Sequence, residues 1–273
     1  MTDFQAIVLG IVQGITEWLP ISSTAHLYIV PALLGWAQAG TAFTAVIQLG
    51  TVLSAIIYFR KDIIGILLNT KGAPGQDVGA DRRLLMPIVV GTVPVVVVGL
   101  ALKHYIEHEW HSMYIIATAQ IVFAILLLLA ERFGKRNIGM EGVTLRHGLM
   151  VGLGQMLAII PGASRSGSTM TAAFAVGLDR ATAARFSFLL SLPAVTAAGL
   201  LELVKSRHEI AALHMGRAML ESTVVSFIVG LVTIDLLIKF LRKNSTIGFI
   251  VYRILLGIAL FALIAAGRMS ATF

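Results

Sequence analysis

"TEWLPISSTAHLYIV", Thr16 to Val30, sets Glu17, Pro20, Ser22, Ser23, Thr24 and His26 inside an otherwise apolar stretch. Proline ends a helix at or before the residue that precedes it. A serine or threonine just beyond is a good cap for a new helix. Residues 4–35 therefore read as helix, break, helix: a re-entrant hairpin and not a single span. Residues 147–178 have the same form around "IPGASRSG" at 160–167. Irregular backbone at membrane depth is tolerated only where it is buried in protein or lines a cavity. Both breaks are thus expected to face a polar interior.

That these stretches lie in a membrane follows from composition. Of 273 residues, 57% are hydrophobic and 13% charged, where a soluble domain carries about 25% charged residues. Mean hydropathy is +0.88. Six apolar runs, roughly 43–59, 84–102, 114–130, 186–202, 219–238 and 249–267, are expected to span, a helical span needing about 20 such residues. The formal net charge of +7 comes from basic residues gathered between the runs. They form no stripe with interleaved aromatics, so nucleic acid is not an expected partner. The absence of cysteine excludes disulfides, thiolate catalysis and cysteine-based metal sites. The opening Met-Thr-Asp-Phe lacks the basic n-region of a cleavable signal peptide.

The expected fold class is all-α: six transmembrane helices plus two re-entrant hairpins in one membrane domain, 1–273. The halves, about 1–135 and 140–273, each read as a hairpin followed by three spans. Pro20 aligns with Pro161, Ser23 with Ser164, Thr24 with Arg165 and His26 with Gly167. Three spans is an odd number, so the second copy starts on the opposite face, which makes an inverted repeat. In that layout polar sites form at the midplane between broken helices. Arg60, Lys61, Lys71, Arg82, Arg83, Arg132, Lys135, Arg136, Arg146, Lys239, Arg242 and Lys243 fall on one side. Lys103, Lys205, Arg207, Arg217 and Arg268 fall on the other. The positive-inside rule puts the richer side in the cytoplasm and both termini outside.

The chemistry is expected at the breaks. Glu17 follows Gln13 by four residues, so the two share a helix face, and an ionisable group at membrane depth usually marks a function. His26 is the only one of seven histidines inside a hydrophobic segment, and histidine serves as nucleophile or general acid/base near neutral pH. Arg165 sits in "GASRSGST", 162–169. Arginine binds phosphate bidentately. Gly162, Ser164, Ser166 and Gly167 suit backbone that approaches an anion closely, at the positive end of a new helix. A carboxylate, a histidine, an arginine and many hydroxyls within a membrane suit a lipid phosphate. Elsewhere, His104, His108 and His111 in "KHYIEHEWH" could bind metal, but an amphipathic surface helix is the simpler reading. Gln48 and Gln120 either line the cavity or pair across helices. Asp235 and Arg253 either pair or snorkel to the cytoplasmic side.

"QGITEWLPISSTAH" and "PGASRSGST" closely resemble the two signature motifs of the bacterial undecaprenyl-diphosphatase, or bacitracin-resistance, family, and the likeness extends to "FSFLLSLPA" (186–194). The resemblance implies a multi-pass inner-membrane enzyme with its site toward the periplasm. It would hydrolyse undecaprenyl diphosphate with a divalent cation, Mg2+ or Ca2+, recycling the lipid carrier and conferring bacitracin resistance. Lipids surround such a protein, and a homodimer is compatible with it. Glu17, Ser23, His26 and Arg165 would be catalytic. Gln13, Ser22, Thr24, Ser164, Ser166, Gly167 and Thr169 would bind substrate, and Glu17 would hold metal. The nucleophile is left open: Ser23 or His26 attacks, or His26 activates the attacker, with Glu17 orienting His26 or the metal. The family motif has Glu or Gln where this chain has Gln13, so one anionic metal ligand is missing. The competing class is a transporter or flippase for undecaprenyl phosphate or a small anion, since inverted repeats and broken helices are transporter features.

Overall fold

The computed structural model describes residues 1–68, 82–102, 105, 110, 112–212 and 216–272; His104, His108, His111, Lys71 and Lys103 lie outside them. Among the described residues the chain forms eleven α-helices: α1 (Asp3–Thr16), α2 (Ser23–Leu34), α3 (Gly40–Tyr58), α4 (Arg60–Leu68), α5 (Leu85–Ala101), α6 (Met113–Phe133), α7 (Leu145–Leu157), α8 (Arg165–Ala175), α9 (Arg180–Ala212), α10 (Gly216–Leu241) and α11 (Ile247–Ala265).

Among the described residues five helical stretches are long and apolar enough to cross a membrane: Arg82–Ala101, Met113–Phe133, Arg180–Arg207, Gly216–Leu241 and Ile247–Ala265. A sixth is made if α3 and α4, bent by 69° at Phe59, count as one. The bend falls where the sequence reading placed only a loop. Residues 63–68, "IIGILL", continue the helix past Arg60, Lys61 and Asp62, and Asp62 is held by Arg185 of α9. Outward faces carry Val97, Leu201, Leu236 and Leu255, each more than half exposed. Apolar surface on that scale marks contact with lipid or partner.

Inside, small residues let backbones approach. A methyl group on Gly10 of α1 would lie 2.6 Å from the Ser222 carbonyl oxygen of α10, and one on Gly152 of α7 would strike the Gly91 carbonyl of α5. The partners recur: α1 packs on α10 and α7 on α5, while α3 packs on α9 and α6 on α11.

Each break has the predicted form. Thr16 ends α1 and Leu157 ends α7, and the chain then turns through 17–22 and 158–164 before α2 and α8 begin. The second turn is one residue longer. The N-caps are therefore Ser22 and Ser164, which places Ser23, not Thr24, in the position of Arg165. The extra residue falls after the proline, where Gly162 takes φ +89°. Ser22 and Ser164 hold φ 75° and 70°, a sparsely populated region for a residue with a Cβ. That geometry aims each hydroxyl at its own helix: Ser22 Oγ accepts from the Ala25 N–H at 3.3 Å and Ser164 Oγ from the Gly167 N–H at 3.1 Å.

Arg253 of α11, fully buried, joins the two breaks. Its Nε donates to Gln120 Oε1 (2.8 Å), its Nη2 to the carbonyls of Gly162 (3.0 Å) and Ala163 (2.9 Å), and its Nη1 to that of Pro20 (3.4 Å). Gln120 Nε2 donates in turn to the Ile21 carbonyl at 2.9 Å. Both sequence readings of Arg253 are thereby corrected. It neither snorkels nor pairs with Asp235, which is bonded to Lys239 (2.6 Å) and Tyr58 (3.3 Å). With the Ala119 carbonyl, 3.4 Å from Nη2, five converging acceptors satisfy the guanidinium, and none of them is a carboxylate.

Candidate active site

Glu17 is the hub. It sits at the C-terminal end of α1, 7% exposed, and both its oxygens are engaged. Oε2 accepts from Ser23 Oγ at 2.6 Å and from Gln13 Nε2 at 3.0 Å. Oε1 accepts from Gln48 Nε2 at 3.0 Å and from Arg165 Nη1 at 3.2 Å. The four-residue spacing supplies Gln13, the new helix after the break supplies Ser23, α3 supplies Gln48, and the second hairpin supplies Arg165. Arg165 is the first residue of α8, so its cationic head lies at the end where backbone N–H groups favour an anion.

Arg165 borders two cavities. The larger, of about 180 Å³, is bordered by Gln13, Ser23, Thr24, Leu27, Tyr28, Thr44, Ala45, Gln48 and Arg165. The smaller, of about 10 Å³, is bordered by Glu17, Trp18, Arg165, Ser166, Thr169, Ser187, Phe188 and Ser191.

His26 lies elsewhere. Its Nδ1 is 2.7 Å from the Ser22 carbonyl and its Nε2 2.6 Å from Tyr252 Oη. A carbonyl only accepts, so Nδ1 carries the proton and Nε2 of the neutral ring accepts from the tyrosine. The two rings stack at 5.7 Å. Four positions taken as catalytic or substrate-binding, Ser22, His26, Ser164 and Gly167, border neither cavity. Ser22 and Ser164 cap helices. Gly167 makes room for Arg253, since a methyl group there would lie 2.7 Å from Arg253 Nη1. Ser166 Oγ donates to the Leu19 carbonyl at 2.9 Å, stitching α8 to the first break. Thr169 Oγ1 donates to the Arg165 carbonyl at 2.8 Å.

The bacitracin resistance protein BacA family is matched by residues 6–259 of this sequence. The chain belongs to that family. It is 46% identical over 280 residues to an undecaprenyl-diphosphatase of Chlorobaculum tepidum, covering 98% of this chain and 99% of the relative. It is 48% identical over 274 residues to one of Gloeobacter violaceus (97% and 93% covered) and 45% identical over 273 residues to one of Myxococcus xanthus (99% and 92% covered).

In this BacA-family chain the candidate cation ligand is Glu17. Among the described residues no three His, Asp or Glu side chains converge. Glu17 is, among the described residues, the only carboxylate bordering either cavity, and four donors, one of them a guanidinium, already hold it. One carboxylate with the side-chain oxygens of Gln13 and Gln48 suits a hard cation that arrives already bound to phosphate oxygens.

Sequence reasoning missed Tyr252 as the partner of His26, and Ser187 and Ser191 beside Arg165. Tyr252 gave no separate signal beside Arg253. The two serines stand four apart on α9, inside the segment "FSFLLSLPA" that carried part of the resemblance.

Proposed function

We propose that this chain hydrolyses undecaprenyl diphosphate to undecaprenyl phosphate and inorganic phosphate. It would thereby recycle the lipid carrier of cell-wall synthesis and confer bacitracin resistance. The observation that carries the mechanism is the 2.6 Å bond from Ser23 Oγ to Glu17, on a carboxylate that also pairs with Arg165. Family membership and the names of the relatives supply the substrate.

Ser23 Oγ attacks the terminal phosphorus and its proton passes to Glu17. The bond from that phosphorus to the bridging oxygen breaks, and undecaprenyl phosphate leaves with the electron pair. Water then cleaves the phosphoserine, restoring the hydroxyl and releasing phosphate. Arg165, at the start of α8, balances charge on the phosphoryl oxygens. Gln13 and Gln48 keep Glu17 aimed at Ser23. His26 bonds the Ser22 carbonyl and so fixes the cap that sets Ser23 at the first turn of α2. Glu17 would hold a Mg2+ or Ca2+ ion brought with the diphosphate, and the cation would neutralise phosphate charge.

The same proposal places six spans, with α3 and α4 as one, and two re-entrant hairpins in the inner membrane. The halves 1–135 and 140–273 form an inverted repeat with the site toward the periplasm. The recurring helix partners and the uneven distribution of Lys and Arg support this.

Purified protein in detergent should release phosphate from undecaprenyl diphosphate, and a chelator should slow it. Proteoliposomes should show that release without transmembrane flux of undecaprenyl phosphate. Flux with no hydrolysis would favour the flippase reading, which rests on the broken helices.

A further inference from the structure

The small cavity at Arg165 holds an imbalance of hydrogen bonds. The other hydroxyls on its wall have committed their protons: Ser166 to the Leu19 carbonyl, Thr169 to that of Arg165, and Ser191 to that of Phe188 at 2.9 Å. Ser187 has not. It is 1% exposed, and its Oγ has no partner among the described residues. A helical serine commonly bonds back to a carbonyl one turn earlier, as Ser191 does, so a hydroxyl left free in this position is unusual; the indole Nε1 of Trp18, which lines the same cavity, is likewise without a partner among the described residues. Buried polar groups are nearly always satisfied.

What could satisfy it is bounded by size and charge. A cavity of about 10 Å³ takes one oxygen-sized atom and excludes a whole phosphate. Its wall includes Arg165, which also borders the larger cavity. A phosphoryl group held in the larger cavity by Arg165 can therefore send a single oxygen into the smaller one. A free hydroxyl proton and a guanidinium are donors suited to such an oxygen. The carboxylate of Glu17 on the same wall is discharged once it has taken the Ser23 proton. We infer that Ser187 is a further substrate-contacting residue, whose hydroxyl donates to one non-bridging oxygen of the terminal phosphoryl group lodged beside Arg165. This rests on the diphosphatase reading above and adds to it a residue on α9, outside both hairpins.

The test compares the wild-type protein with Ser187→Ala and Ser187→Cys in detergent. The readouts are kcat/KM on undecaprenyl diphosphate, the inhibition constant of inorganic phosphate, and the thermal unfolding midpoint. Ser187→Ala should lower kcat/KM by about 10- to 100-fold and weaken phosphate inhibition by a similar factor, the worth of one hydrogen bond to a charged group. Its unfolding midpoint should hold or rise, because an unsatisfied buried hydroxyl is gone. Ser187→Cys keeps the shape with a weaker donor and should fall between. If both variants match the wild type in kcat/KM and phosphate inhibition, the cavity holds only water and the inference is wrong. A wild-type protein that releases no phosphate would instead overturn the diphosphatase reading itself.

Discussion

Replacing Ser23 with alanine separates a nucleophile from a mere hydrogen-bond partner, because the structure sets a ceiling on the second role. Ser23 Oγ makes one bond of 2.6 Å, to the ionisable oxygen Oε2 of Glu17. A hydrogen bond to a charged group is worth about 1.5–3 kcal/mol, and about 1.4 kcal/mol is tenfold in rate. If Ser23 only positioned Glu17, its loss would slow turnover by about 10- to 150-fold. The remaining donors, Gln13, Gln48 and Arg165, would keep the carboxylate in place. If Ser23 itself attacks phosphorus, the loss should be on the order of 10⁴-fold or more, as when a hydrolase loses its nucleophile. The assay is single-turnover phosphate release from a prenyl diphosphate in detergent, with terminally labelled substrate to trap phosphoserine. Unfolding should move little, since the residue is part-exposed at the first turn of α2. A Ser23→Ala protein that keeps more than about one part in 150 of the wild-type rate would refute the nucleophile assignment.

Arg165→Ala should nearly abolish turnover with the fold intact, and Arg165→Lys should also be poor, because an ammonium cannot reproduce the guanidinium fork; near-normal kcat/KM in the lysine variant would rule out bidentate phosphate binding. Glu17→Gln should lower activity and flatten its dependence on Mg2+ or Ca2+, while Gln13→Glu should be tolerated and shift the cation titration to lower concentration; identical curves for all three proteins would remove Glu17 from the cation's coordination. Both amide atoms of Gln155 are buried without a partner, so Gln155→Met should stabilise the protein by about 1–3 kcal/mol, read as a higher unfolding midpoint in detergent; a lower one would mean the amide is bonded. Thr24 is exposed and borders the larger cavity. In this cysteine-free chain Thr24→Cys should therefore react with a membrane-impermeant thiol reagent added outside spheroplasts. Labelling only from the cytoplasmic side would reverse the proposed orientation.

The helices and both breaks were legible because their causes are local: proline, a capping hydroxyl, and apolar runs of span length. The hub was half legible. Gln13 and Glu17 meet because helical spacing puts them there, and Arg165 stood out as a cation in a Gly/Ser stretch. The direction of His26 was not legible. It lies on the same short helix as Ser23 and Thr24, yet faces α11 while they face the larger cavity, and only tertiary packing decides which face of α2 turns inward. The register between the breaks was misread because two prolines invite alignment, whereas the additional residue lies just after the second. Arg253 defied a general rule: a buried cation is usually sought beside a carboxylate, and here backbone carbonyls freed by the two breaks take that place.

That last arrangement bears on the order in which the protein can be made. The carbonyls that Arg253 gathers belong to turns early and midway in the chain, while the arginine itself sits in the last helix described. Until α11 inserts, those carbonyls have no cation to converge on, and the two turns are joined only through contacts such as that of Ser166 with the Leu19 carbonyl. A chain still emerging from the ribosome would carry both breaks before the guanidinium that bridges their carbonyls. The arrival of that one side chain then ties the two turns to each other through their backbones.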